Sequence, residues 1–109
     1  MVDIFKALSD ETRLRILSLI WSREMCVCEI EKCLELTQSN ASRHLTVLKN
    51  AGILSSTKHA QWAYYIVNKE FCENNMGLCN YLDIKLKELT TYQADMEHMA
   101  KYKTEDLCN

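Results

Sequence analysis

The hydrophobic period of this chain changes just after Ala51 and Gly52, and this change constrains the fold more than any other feature. Before it, apolar residues recur every three or four positions, which is typical of helices packed on a core. After it, the stretch ILSSTKHAQWAYYIV alternates, with its turn predicted near Lys58 to Gln61. The sequence therefore predicts a mainly α fold with a small β-hairpin.

Four helical segments precede the change. Their apolar faces are Ile4, Phe5 and Leu8; Leu14, Leu17, Ile20 and Trp21; Val27, Ile30 and Leu34; and Ala41, Leu45 and Leu48. Thr37 is a good N-cap for the fourth helix, predicted from Gln38 to Asn50, and Gly52 follows its end. Two helices joined by a tight turn and followed by a hairpin predict a winged helix-turn-helix.

The C-terminal part returns to a helical period, with an apolar seam at steps of four and three. The seam comprises Leu82, Leu86, Leu89, Gln93, Met96 and Ala100. It predicts one long dimerisation helix that pairs with a second copy, helped by Ile4, Phe5 and Leu8. Packing within its own domain is the alternative. The length of 109 residues predicts one domain, with a core over 1–68, a wing at about 53–67 and the dimerisation segment over 69–109.

Charge is distributed unevenly along the chain. The net charge of −2 argues weakly against nucleic acid, but Leu36 to Lys69 holds four Lys or Arg and no acid. From Glu70 to the end, eight acids face four bases. The middle of the chain is thus suited to a polyanion. No apolar run reaches the length of a membrane span and the N-terminus lacks a signal-peptide pattern, so we expect a cytoplasmic protein.

The start of the fourth helix carries the groups that read base edges in the major groove of double-stranded DNA. We expect these side chains to point outward: Gln38, Ser39, Asn40, Ser42, Arg43 and His44. Lys49, Lys58 and His59 would contact phosphates. A merely solvated helix face is the alternative, but idle surfaces usually mix charges of both signs, and this one has no acid.

A thiol cluster, EMCVCEIEKC, lies directly ahead of this region. Clustered thiolates select thiophilic ions. On a regular helix Cys26 and Cys28 would point about 200° apart, so binding one ion needs a first turn that is non-helical or becomes so. Ligation there would move the reading helix and lower operator affinity. A thiol at a helix N-terminus also tends toward thiolate, which favours metal binding and oxidation alike.

Four segments resemble the ArsR/SmtB family of metal-responsive winged-helix repressors: DETRLRIL, CVCEI, TQSNASRHLTVLKNAGIL and QWAYYIV. The resemblance implies a homodimer that leaves a two-fold operator when its effector binds. It maps DNA contacts onto Gln38, Ser39, Ser42, Arg43 and His44. The wing departs from the family pattern, because Ala60 stands where glycine is common and Thr57 where arginine is common.

The CVC segment is similar to the arsenic- and antimony-sensing branch, and to the cadmium- and lead-sensing branch. The latter branch carries extra cysteines in an N-terminal extension that Met1 leaves no room for. The zinc branch uses an Asp-x-His pair, whereas this chain has Asp83-Ile84-Lys85. The resemblance thus implies Cys26 and Cys28 as metal ligands, with As(III) or Sb(III) as effector and no permanent cofactor.

Arsenite normally takes three thiolates, and the third is open. Family members often place a cysteine where this chain has Glu31. Cys33 lies on the buried stripe and about 10 Å along the helix from Cys26, which favours a core role. The remaining thiols are Cys72, Cys79 and Cys108. A trivalent organoarsenical would need only two thiols.

Four other functions compete with the repressor released by an arsenic or antimony effector. The same fold could act as a thiol redox switch or a cadmium or lead sensor. A thiol-dependent enzyme is disfavoured, because no Cys-x-x-Cys pair occurs and no histidine is paired to a nucleophile. A protein-interaction module without DNA binding is disfavoured by the acid-free middle.

Overall fold

The computed structural model describes residues 1–102. Its helices are α1 Val2–Leu8, α2 Glu11–Ile20, α3 Val27–Leu34, α4 Gln38–Asn50, α5 Lys69–Asn74, α6 Met76–Lys85, a 3₁₀-helix Leu86–Glu88, and α7 Tyr92–Lys101. Its strands are β1 Met25–Cys26, β2 Leu54–His59 and β3 Trp62–Val67. The mainly helical fold with a hairpin is confirmed. Within these residues no helix is long and apolar enough to cross a membrane.

Side-chain caps fix the helices on either side of the predicted turn. Asp10 Oδ1 accepts the backbone N–H of Arg13 at 3.1 Å and begins α2. Thr37 Oγ1 accepts the N–H of Asn40 at 3.2 Å and begins α4. Gly52 ends α4 with a φ of +83°, a conformation that favours glycine. The predicted bounds of α4 are therefore confirmed.

The sheet has three antiparallel strands in the order β1-β3-β2. The predicted hairpin is confirmed, with Leu54 opposite Val67 and His59 opposite Trp62. Ala60 occupies the tip with a φ of +58°, where glycine would be unstrained. β1 was not predicted, because two residues show no period; it adds the segment ahead of α3 to the edge of the wing.

One core lies between α2, α3 and α4 and extends under the C-terminal helices. Its fully buried side chains include Ile16, Leu17, Leu19, Ile20, Ile30, Leu45, Leu48 and Ile53. Most of these positions fall on the predicted helical stripes or at the start of the hairpin, whereas Ile16 and Leu19 lie outside the stripe predicted for α2. Burying such a side chain contributes roughly 1.5–3 kcal/mol, so these stripes hold α4 against the scaffold.

The prediction of one long C-terminal helix is wrong. The chain leaves helical geometry at Leu89, with φ −59° and ψ 138°, and Thr90 and Thr91 form a turn before α7. β-Branched residues lower helix propensity, so this is a weak point of the seam. Leu82 and Leu86 are buried in the chain's own core. The seam therefore packs largely within its own domain.

Polar contacts fix α7 on that core. Asp95, only 1% exposed, accepts two hydrogen bonds from the Arg15 guanidinium at 2.9 and 3.0 Å. His98 Nδ1 donates to the backbone carbonyl of Cys33 at 2.8 Å. These contacts join α7 to α2 and α3. Heptad spacing could not reveal them, because neither Asp95 nor His98 belongs to the predicted seam.

Candidate nucleic-acid interface and thiol site

The first turns of α4 present a polar surface. Gln38, Ser39, Asn40 and Arg43 are exposed, and Ser42 is half-buried. Arg43 Nη2 lies 3.4 Å from Asn40 Oδ1, so the guanidinium stands over the start of the helix. Amide, hydroxyl and guanidinium groups are thus collected on one helix end, and a long flexible arginine is placed at its centre.

His44 does not belong to this surface. The prediction that its side chain points outward is wrong, because His44 is only 6% exposed. It follows Ala41 by three positions and precedes Leu48 by four, so it shares their inward face. That spacing was a signal in the sequence. Its partner, Arg13, is 31 positions away and could not be found from periodicity.

Arg13 of α2 contacts both α1 and α4, and so joins three helices. Its Nη1 donates to His44 Nδ1 at 3.2 Å. Its Nε donates to the Ala7 carbonyl at 2.7 Å and its Nη2 to the Lys6 carbonyl at 3.3 Å, both at the end of α1. This guanidinium therefore connects the end of α1 and the start of α2 to α4.

The contact requires a neutral His44. Burial lowers the pKa of His44, and the charges of Arg43 and Arg13 lower it further, although Asp10 opposes them. Arg43 Nη2 also lies 3.5 Å from His44 Nε2. A neutral imidazole has one acceptor nitrogen, so it accepts from one arginine at a time.

The two predicted phosphate-binding lysines are exposed. Lys49 lies in the last turn of α4 and Lys58 on β2 near the wing tip. Beside Lys58, His59 Nε2 lies 3.4 Å from Glu24 Oε1, and its ring packs edge-on against Tyr64 at 5.0 Å. Glu24 immediately precedes β1, so the wing tip contacts the segment that carries the thiols.

Cys26 lies where the wing sheet meets α3. Its backbone is extended, with φ −78° and ψ 150°, and it is the N-cap residue of α3. In β1 it lies opposite Tyr64 of β3. Because Cys26 precedes the helix, the predicted opposition of two thiols on one regular helix does not arise. Cys28 is half-buried in the first turn of α3 and is disulfide-bonded in this structure, so it must be reduced before it can bind a metal or metalloid.

A capping box formed with Glu29 holds this joint together. The thiol of Cys26 accepts the backbone N–H of Glu29, and Glu29 Oε1 accepts the N–H of Cys26 at 3.1 Å. The other carboxylate oxygen lies 3.2 Å from Arg23 Nη2. Glu29 is fully buried. The Cys-x-x-Glu spacing of a capping box was visible in the sequence, although cysteine is not the usual cap residue.

The expected tendency of the capping thiol toward thiolate is wrong for Cys26. Burial raises its pKa, and the nearby carboxylates of Glu29 and Glu31 add to the rise. The backbone N–H groups of Cys28 and Glu29 act in the opposite sense but do not prevail. The thiol is therefore a poor nucleophile until a thiophilic centre displaces its proton.

The remaining thiols do not complete a three-ligand site. Cys33 is fully buried in the core, and burial together with the Glu29 charge raises its pKa to about 11. Cys72 and Cys79 lie on α5 and α6. Among residues 1–102, no three His, Cys, Asp or Glu side chains are grouped so as to hold a metal ion. Cys108 lies outside the described residues.

Comparisons with known proteins agree with this geometry. The family model for bacterial regulatory proteins of the arsR family matches residues 10–56. Arsenic resistance transcriptional regulator ArsR1 of Pseudomonas putida is 47% identical over 68 residues, which are 62% of this chain and 53% of that protein. The cadmium resistance regulatory protein CadC homologue of Staphylococcus aureus is 40% identical over 71 residues, 64% of this chain and 59% of that protein.

The chain spans only about half to three-fifths of the length of these two curated relatives. A solved structure of similar fold is the homodimeric winged helix-turn-helix DNA-binding domain of a possible ArsR-family regulator from Mycobacterium bovis. It has a TM-score of 0.65 and 26% identity, and the match covers 82% of this chain and 83% of that one. The sequence motifs, the winged fold and these relatives together show that the chain belongs to the ArsR family of helix-turn-helix regulatory proteins.

Proposed function

We propose that this protein is a dimeric transcriptional repressor that leaves its operator DNA when a trivalent arsenic or antimony species binds Cys26 and Cys28. The observation that carries the proposal is the place of Cys26 at the joint of two elements. Its backbone pairs with β3 of the wing, and its side chain caps α3, which leads into α4.

The proposed DNA contacts divide into reading and positioning groups. Gln38, Asn40 and Arg43 have the donors and acceptors that recognise base edges, and they are exposed at the N-terminal end of α4. Ser39 and Ser42 would join them. Lys49 and Lys58 would bind phosphates on either side. His44 acts through Arg13 as a positioning residue behind the surface.

The effector proposal rests on donor chemistry. Cys26 and Cys28 supply two soft sulfur ligands, which favour thiophilic centres over hard ions. An organoarsenical with one As–C bond is satisfied by these two thiols, whereas arsenite takes a third. Cys108 is the remaining candidate for that third thiol. Because such ligands must stay reduced, we infer a cytoplasmic protein.

Ligation would disturb the joint in two directions. Binding of the effector would turn the sulfur of Cys26 toward Cys28 and away from the position in which it accepts the N–H of Glu29. Loss of the cap loosens the start of α3, and displacement of Cys26 pulls on its partner Tyr64 in the wing. Both α4 and the wing would then leave the arrangement that fits DNA. Such coupling between two sites is typically 5–150-fold in affinity.

A second copy of the chain would cover the apolar face formed by α1 and α6. Phe5, Tyr81 and Ile84 are 54%, 58% and 60% exposed. Phe5 and Tyr81 border a groove of about 330 Å³ with Leu78 and Leu89. The homodimeric relative from Mycobacterium bovis supports this pairing. Two reading helices are needed for a two-fold operator.

The test is fluorescence anisotropy of labelled DNA from the region upstream of the gene, titrated with protein under a monothiol reductant. We expect a complex that arsenite or phenylarsine oxide dissolves at near-stoichiometric amounts. Cys26→Ser and Cys28→Ser should bind the DNA equally well and ignore the effector. Equal release of parent and variants would contradict the thiol assignment.

Cadmium and zinc are the parallel arms of this experiment. Release by cadmium alone would support the cadmium-sensing alternative, which the CadC homologue of Staphylococcus aureus makes the next candidate. Release only after added peroxide would support the redox switch. A complex that never forms would contradict DNA binding itself.

A further inference from the structure

A second thiol pair lies outside the proposed effector site. Cys72 near the end of α5 and Cys79 within α6 are free cysteines whose side chains are hydrogen-bonded to each other. Asn75 fixes the turn between the two helices. Its Nδ2 donates to the Phe71 carbonyl at 2.9 Å, and its own carbonyl accepts the N–H of Cys79 at 2.9 Å. The turn thus holds the two sulfurs side by side.

The surroundings of this pair are apolar on one side and open on the other. Cys79 is 7% exposed and belongs to the core cluster with Phe71 and Leu82, while Cys72 is half-buried and packs on the edge of that cluster. Burial and the neighbouring Cys72 raise the pKa of Cys79 to about 12. No third His, Cys, Asp or Glu within 1–102 joins the pair into a metal-binding group.

We propose that Cys72 and Cys79 form a second binding site, specific for a thiophilic centre that takes two thiolates and is then electrically neutral. Two sources share this chemistry: an arsenical with one As–C bond, and Hg(II). Neutrality matters because a charge left in this half-buried apolar site would carry a large desolvation cost. Arsenite should bind this pair less tightly, because it takes three thiolates by preference and no third cysteine within 1–102 joins the pair.

Binding is an exchange without change of oxidation state. For an arsenical R–As(OH)₂, two As–S bonds form and two As–O bonds break. The two thiol protons leave with the two hydroxyl oxygens as two molecules of water, and arsenic stays trivalent. For Hg(II), two Hg–S bonds form and the two thiol protons pass to solvent. No oxidant takes part, so the pair works under the same reducing conditions as the first site.

This second site is separate from operator release. The exposed groups proposed for DNA contact lie on α4 and β2, whereas Cys72 and Cys79 lie on α5 and α6. The chain would therefore bind more arsenical than is needed to release DNA. Its binding stoichiometry and its release stoichiometry would differ, and the difference would depend on Cys72.

The experiment isolates the pair in the full chain. The variant Cys26→Ser, Cys28→Ser, Cys33→Ala, Cys108→Ser retains Cys72 and Cys79 as its only thiols. Phenylarsine oxide or mercuric chloride is added, and uptake is followed by native mass spectrometry and by ultraviolet absorbance of the new sulfur bonds. We expect one equivalent per protomer, abolished when Cys72→Ser is added. Uptake of only one probe identifies which source the site takes.

Uptake of neither probe by the variant, with native circular dichroism, would overturn the proposal. Should the variant not fold, Cys72→Ser in the otherwise unchanged chain gives the same decision. Cys72 is half-buried, so serine is tolerated there, and uptake should fall by one equivalent per protomer. Unchanged uptake would overturn the proposal. These readouts do not involve DNA, so they stand apart from the test of operator release.

Discussion

The two cysteine pairs of this protein are similar in burial and differ in the elements that they connect. Each has one buried cysteine, Cys26 or Cys79, and one half-buried partner, Cys28 or Cys72. In both pairs burial raises the pKa of the buried thiol. The Cys26 pair lies between the wing and α3, whereas the Cys72 pair lies in a turn between two C-terminal helices. Under the proposed function, the elements next to a cysteine pair would decide whether ligation of the pair controls DNA binding.

A physical reason underlies this difference. A ligand shifts an equilibrium only by its differential affinity for the two states. At Cys26 the sulfur already serves as a helix cap, so ligation would reorient an atom that holds the start of α3. The sulfur of Cys79 is instead hydrogen-bonded to Cys72, the other cysteine of its own pair. Ligation there displaces no element that would face DNA.

The largest effect separates the two pairs directly. Cys26→Ser should retain operator affinity and lose the effector response, so that a 5–150-fold drop in affinity becomes less than about twofold. Cys72→Ser is the matched control and should keep the full response. Anisotropy titrations with and without phenylarsine oxide measure both. A response lost in Cys72→Ser and kept in Cys26→Ser would reverse the assignment.

Arg43→Ala should weaken operator binding by about 1–3 kcal/mol, or roughly 5–150-fold, because a guanidinium that reads a base edge contributes about that much. Uptake of arsenical by both cysteine pairs should be unchanged, since Arg43 belongs to neither pair. Competition with DNA of altered sequence locates the base concerned. Full affinity in Arg43→Ala would show that α4 is not the reading helix.

Glu29→Ala should lower the free energy of unfolding by about 1–3 kcal/mol, because the buried N–H of Cys26 loses its carboxylate acceptor. Glu29→Gln keeps an acceptor and should lose less. The exposed Glu73 beside Cys72 gives the matched control, and Glu73→Ala should change stability by less than about 0.5 kcal/mol. Urea denaturation measures all three. Equal stability of the two alanine variants would contradict a structural role for the capping box of Cys26 and Glu29.

The smallest effect concerns pH. The pKa of His44 is lowered in the folded protein, so the unfolded chain takes up its proton first as the pH falls below about 6.5. The stability that neutral His44 provides is thus complete above that pH and is lost below it. His44→Gln should flatten this part of the stability profile. Parallel profiles for parent and variant between pH 7 and 5 would contradict a neutral, buried His44.

Local patterns predicted the helix-turn-helix and the wing well. The Thr37 cap and Gly52 determine both ends of α4, and both act within a few residues of the helix. Alternation alone predicted the hairpin. The C-terminal seam was misread for a related reason. A heptad pattern is equally satisfied by the chain's own core, and long-range contacts such as that of Arg15 with Asp95 distinguish the two.

The site was predicted less completely than the fold. Gln38, Asn40 and Arg43 lie where the sequence places them, because they occupy the outer face of a correctly predicted helix. The burial of His44 depends on Arg13, and the position of Cys26 on Tyr64; both partners are distant in sequence. Such long-range contacts produce no periodic pattern in the sequence. The sequence therefore identified the functional groups, and only the fold shows which distant residues they contact.

The most direct test of the proposed coupling is amide hydrogen exchange, read by mass spectrometry, before and after phenylarsine oxide binds. We predict faster exchange both in the first turn of α3, from Cys26 to Glu29, and in β3 around Tyr64, with Cys26→Ser showing neither change. Acceleration confined to the α5–α6 turn, or protection at both Cys26 and Tyr64, would contradict the claim that one thiol controls the wing and the reading helix together.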